Sequence, residues 1–173
     1  MMIEFLRRNL WASAFLFVIR LYLGYTWISA GLGKVSGGSF DASGFLNGAL
    51  AKATGERPIV QDWWASFLKH VALPNVELFS IMVQWGEILV GAGLLLGVLT
   101  KTAAFFGIVM NMSFLLSGTI SGSPIMIILS MFVLVAYTNA GRIGLDYYVF
   151  SKLRSRSNTN SDRSPHSSAA PSA

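Results

Sequence analysis

Residues 10–32 read LWASAFLFVIRLYLGYTWISAGL, an apolar run broken by one charge, Arg20. An arginine at the centre of a bilayer costs about 2.5–3.5 kcal/mol, whereas each Leu, Ile, Phe or Val returns about 0.3–0.6 kcal/mol. Nine such residues lie between Phe15 and Leu32, so the segment is expected to insert as a transmembrane helix despite Arg20. The basic pair Arg7-Arg8 before it resembles the start of a secretory signal. Arg20 interrupts the apolar region of such a signal and no small-residue cleavage site follows, so an uncleaved first span is the better reading.

Working outward, three further apolar runs appear at residues 76–100, 102–117 and 124–139. Asn75 is a plausible cap for the second, and Ser123-Pro124 places proline at the first helical position of the fourth. The stretch SGTISGS, residues 117–123, allows only a tight turn, so the third and fourth spans form an antiparallel hairpin. The expected fold is all-α: a four-helix transmembrane bundle, residues 1–150, with an external loop at 35–73 and a tail at 151–173. Composition agrees. The 173-residue chain is 53% hydrophobic and only 12% charged, against about 25% charged in a soluble domain. So apolar a chain has lipid as its natural solvent and partner.

Charge sets the expected orientation. Arg7, Arg8, Lys101, Arg142, Lys152, Arg154, Arg156 and Arg163 fall on one side of the spans, against Lys34, Lys52, Arg57 and Lys69 on the other. Basic residues mark the cytoplasmic face, so both termini are expected in the cytoplasm of a multi-pass cell-membrane protein. In the loop, Asp41 or Ser43 caps a short helix, and Trp64, Phe67, Leu68 and Val71 share one face of another. The second helix either lies in the membrane interface or packs on the bundle as a small cap. The tail, rich in Ser and poor in apolar residues, is expected to be disordered. The net charge of +5 forms no aromatic-interleaved basic patch, and nucleic acid is not an expected partner.

Candidate chemistry follows from depth. Arg20, Glu87 and Asn111 lie near the centres of the first three spans, where polar groups face a partner or a watery cavity. The simplest expectation is an Arg20–Glu87 ion pair with Asn111 as a hydrogen-bonding neighbour. These three are the candidate catalytic residues, with Lys34, Trp27 and Trp85 around the substrate. The alternative is that the cluster only fixes helix register. Arg20, Gly24, Trp27 and Gly31 form one helical stripe, Gln84, Glu87 and Gly91 a second, and Gly107, Asn111 and Gly118 a third. Such small-residue stripes let membrane helices approach closely. At the end of the fourth span, Arg142 and Asp146 stand four apart, with Tyr147, Tyr148 and Phe150 as an interfacial belt. The sequence has no cysteine, which removes disulfides, thiolate metal sites and Cys-ligated iron–sulfur clusters from consideration. Its two histidines, His70 and His166, offer no self-contained haem site, and no metal site is expected.

Three stretches carry a resemblance: RLYLGYTWISAGLGK with Arg20 and Lys34, Trp85-Gly86-Glu87 within a glycine-rich span, and Asn139-Ala-Gly-Arg-Ile-Gly-Leu-Asp146. In this order they resemble the DoxX/DoxD-type membrane proteins. The resemblance implies a four-helix subunit of the kind found in thiosulfate:quinone oxidoreductase, with a membrane quinone as electron acceptor. A redox partner protein or a homo-oligomer would complete the unit. This chain departs from that pattern in lacking a second, DoxA-like portion. A non-catalytic scaffold recruiting soluble redox enzymes, or a small transporter, is the alternative function.

Overall fold

The computed structural model describes residues 4, 9–38, 40–54, 56–120, 122–136, 140 and 144–145. Its regular structure there is entirely helical: α1 (Leu10–Ser36), α2 (Ser43–Ala51), α3 (Asp62–Phe67), α4 (Val76–Leu96), α5 (Thr100–Leu116) and α6 (Ser123–Val135). A π-helical turn, Leu68–Ala72, continues directly from α3. The expected Arg142–Asp146 pair, the aromatic belt at 147–150 and the tail lie outside the described residues.

Local signals set the helix ends. Asn9 caps α1, its side-chain oxygen accepting the Trp11 N–H at 2.8 Å. Gly97, with φ +66°, closes α4 in the left-handed region where glycine carries no Cβ penalty. The second helix therefore stops short of residue 100. Leu99, at φ 50°, redirects the chain into α5. Pro124 opens the first turn of α6. The expected cap at Asn75 is not made: its amide donates backward to the Val71 carbonyl at 2.8 Å.

The four longer helices close a ring in which α1 touches α4 and α6, and α5 touches α4 and α6. At 1.5 Å per residue, the 27 residues of α1 and 21 of α4 span about 40 and 31 Å. These two are long and apolar enough to cross a membrane, and α5 and α6 are shorter apolar helices. Leu16, Leu23, Trp27, Leu94, Ala104 and Val133 form the shared interior. Outward, the bundle shows Phe15, Val18, Leu78, Leu89, Ile125 and Ile128 more than half exposed, an apolar surface that hydrocarbon satisfies and water does not.

Glycine sets the closeness of α1 to α4. A methyl at Gly91 would stand 2.5 Å from Ile28 Cγ1 and 2.6 Å from the Ile28 backbone nitrogen. One at Gly31 would stand 2.6 Å from Ile88 Cγ1. The backbones thus meet nearly directly, antiparallel, with residue 24 beside 91–95 and residue 31 beside 84–88.

At one end of this bundle, α2, α3 and the π turn make a separate small core of Ala42, Leu46, Ala49, Leu68 and Ala72, packed on Val76 and Phe79 of α4. Of the two arrangements open to this loop, the structure adopts the cap. It is fastened at several points. The Ala42 N–H donates to Ser80 Oγ at 2.9 Å, Trp64 Nε1 to Ser117 Oγ at 2.9 Å, and Lys52 Nζ to the Gly118 carbonyl at 3.0 Å. Trp64 stacks on Phe67, with ring centres 5.1 Å apart. The expected apolar face needs one correction. Val71 is exposed and Ala72 is buried in its place, because the Leu73 N–H reaches back five residues to Leu68 and advances the helix phase.

Candidate functional site

The close approach at Gly31 decides the site. One turn further along α1, Lys34 faces Glu87 of α4, and its ammonium donates to both carboxylate oxygens, at 2.7 and 2.8 Å. Glu87 is 2% exposed and Lys34 25%. The Lys34 ammonium also stands 5.4 Å from the centre of the Phe40 ring, a cation–π contact that ties the pair to the cap. One buried carboxylate is thus held by one cation that keeps a path to the surface.

The pair borders a cleft of about 1230 Å³ between α4, α5 and the cap. Trp64 and Phe67 of the cap, Trp85 of α4, and Phe106, Met110 and Phe114 of α5 line it. The cleft runs from Ser117 beneath the cap to Leu99 at the far end of α4. Lys34 and Glu87 are the charged side chains in a wall that is otherwise mainly aromatic and aliphatic, with hydroxyls at Thr102, Ser113, Ser117 and Thr119. Among the described residues no three His, Asp or Glu side chains converge in a metal-binding arrangement.

Of the other residues selected from the sequence, Arg20, Asn111 and Trp27 are elsewhere. Arg20 does not pair with Glu87. Its guanidinium reaches the far end of the bundle, where Nε donates to the Leu94 carbonyl at 3.0 Å and Nη1 to the Ala140 carbonyl at 2.7 Å. There it lies against Gly97 and Gly144, where a side chain would collide with it. Leu94 is seven residues past Glu87, about 10 Å along the helix axis. Arg20 therefore serves the carbonyl end of α4, where a cation also complements the helix dipole. Asn111 and Trp27 are 2% and 3% exposed and lie in the bundle interior behind the cleft. Trp85 is in the cleft wall.

Phe40 and the stripe Phe106, Met110 and Phe114 were missed by sequence reasoning. The stripe's four-residue spacing is visible in the sequence, one position before the polar and small-residue stripe at Gly107 and Asn111. Nothing in the sequence indicates that Phe40 lies over Lys34.

Comparison with known proteins gives one family. The family model described as DoxX matches residues 15–119, which include most of α1, all of α4 and α5, and the cap. No curated protein and no solved structure matches the chain. The family match covers more than half of the sequence and includes Lys34, Glu87 and the cleft: the chain belongs to the DoxX family of membrane proteins.

Proposed function

We propose that this chain is the membrane subunit of a quinone-linked oxidoreductase, working with a redox partner protein. It spans a bacterial cell membrane four times, with both termini cytoplasmic and the cap outside. The observation that carries this reading is the Lys34–Glu87 pair set in the wall of a long aromatic cleft. A lipid-soluble quinone has the matching anatomy: a flat ring with two carbonyl oxygens, and a long apolar tail. The aromatic side chains offer faces for the ring, and the cleft toward Phe106 and Leu99 offers an apolar channel for the tail.

The chain's own residues would act as follows. Lys34 donates to a carbonyl oxygen, which disengages it in part from Glu87. The freed carboxyl of Glu87 holds or releases a proton at that oxygen. The near-complete burial of the Glu87 carboxylate strengthens both interactions. A bound quinone supplies two-electron, two-proton chemistry, and the electrons come from the partner.

The test is purification in mild detergent followed by lipid extraction and fluorescence titration with a short-tailed quinone. The wild type is expected to retain quinone and to show saturable quenching of its tryptophans. Met110→Trp, which fills the cleft from its α5 wall without altering either charge, is expected to lose both. A folded wild type that neither retains nor binds quinone refutes the proposal. Orientation is tested by fusing a reporter active only outside the cell. It is expected to work after Gly55 or Ser121 and to fail at Lys101 or at the C-terminus.

A further inference from the structure

Three buried polar groups outside the cleft have no partner among the described residues: the Trp27 indole N–H, the Asn111 amide nitrogen and the Ser130 hydroxyl. They come from α1, α5 and α6, and each of the three residues is at most 3% exposed. Their residues fall within about one helical turn of one another along the bundle. The Trp27 indole nitrogen lies against Gly107, 3.2 Å from where a Cβ would stand. Asn111 is the next turn of α5 on the same buried face. Because α5 and α6 form an antiparallel hairpin about residues 117–122, Ser130 falls at a height between Gly107 and Asn111.

Buried polar groups in proteins are almost always satisfied, and three left over at one height in an apolar bundle ask for a shared partner. The donor set describes that partner. Trp27 can only donate, the Asn111 amide nitrogen donates, and the Ser130 hydroxyl can donate or accept. A species with two lone pairs for the nitrogens and a proton for Ser130 completes all three, and water does this with three bonds, the usual number for an internal water. Gly107 lets α5 approach the indole closely, since a Cβ there would stand 3.2 Å from both the indole nitrogen and Val90 Cγ1.

We propose that Trp27, Asn111 and Ser130 form an internal hydration site holding one ordered water at the centre of the bundle. Val90, which borders this site, is one turn beyond Glu87 on α4. The water therefore stands between the level of the Lys34–Glu87 pair and that of Arg20. The inference does not depend on the identity of the cleft's ligand.

The test uses the full chain in micelles with the tryptophan indoles labelled with nitrogen-15, and Trp27 assigned by the signal lost in Trp27→Phe. The Trp27 N–H is expected to show a cross-relaxation peak at the water frequency while exchanging slowly with deuterium oxide. Ser130→Ala is expected to keep that peak, which excludes relay through the hydroxyl. Asn111→Leu, which removes a donor and fills the space, is expected to abolish it. Absence of the peak in the wild type overturns the proposal, as does its disappearance in Ser130→Ala. A Trp27 shift that saturates with added chloride would overturn it in favour of an anion. Should Asn111→Leu fail to fold, the wild type, Ser130→Ala and the chloride titration still decide the matter.

Discussion

Replacing Lys34 with Met is expected to destabilise the protein far more than replacing Glu87 with Met, although the two residues form one ion pair. The asymmetry comes from burial. Glu87 is 2% exposed and, among the described residues, Lys34 is its one donor. Lys34→Met strands that carboxylate. Losing one partner of a buried pair costs about 3–5 kcal/mol, and the residual exposure of Lys34 favours the lower end, about 3 kcal/mol. Glu87→Met instead leaves an ammonium that is already 25% exposed and can swing its long stem toward water. That loss should be about 1 kcal/mol, comparable to one hydrogen bond. In equilibrium terms the unfolded fraction rises by about a hundredfold in the first case and about fivefold in the second. The double Met variant should lie close to the wild type, because no charge is left to desolvate. The assay is helix content by circular dichroism while sodium dodecyl sulfate is titrated against mild detergent, with all four proteins measured in both directions. Equal losses in the two single variants, or a double variant that loses their sum, would refute the geometry described for the pair.

Three other outcomes follow. Arg20→Met and Glu87→Met should be additive within about 0.5 kcal/mol in the same assay, because they serve separate networks; a recovered double variant would restore the pairing expected from sequence. Gly97→Ala drives a methyl into the Arg20 guanidinium at a backbone φ of +66°, and should cost about 1–3 kcal/mol, read as a lower melting temperature. The Asp41 carboxyl, held below its ordinary range by bonds from the Ser43 side chain and then its backbone, should titrate below about 3.9 by NMR. Its folded value is the depressed one, so its stabilisation is present above the ordinary value and disappears as pH falls through the folded value. Ser43→Ala should return the midpoint toward the ordinary value.

Much of the architecture was legible because the small-residue stripes carry helix phase. Arg20, Gly24, Trp27 and Gly31 are all buried on one face of α1, as their spacing requires. Depth was harder to read, because it depends on where helices end. Lys34 marks a natural stop to an apolar run, and the first span was expected to finish at residue 32. In the folded chain Glu87 neutralises Lys34 and the helix continues to Ser36. Gly97 stops α4 before residue 100. Together these shifts bring Lys34 opposite Glu87 and leave Arg20 beside the last turn of α4. A sequence shows which face a residue occupies. It does not show which turn of a neighbouring helix will stand across from it when glycines permit several registers. The cap face failed for a related reason, since the π turn after Phe67 changes phase with no proline or glycine within it.

The fastening of the cap has a consequence for biogenesis. The cap lies between α1 and α4 in the chain, yet Trp64 and Lys52 bond to Ser117 and Gly118, at the turn between α5 and α6. A nascent chain that has emerged only as far as Leu99 already contains Lys34, Glu87 and every cap residue, but lacks the opposite wall of the cleft. Those anchors are made after every cap residue, so the cleft gains its second wall only when α5 docks. Synthesis order thereby makes site completion a late step, and a chain ending at Leu99 would present one wall where the finished chain presents a two-walled cleft.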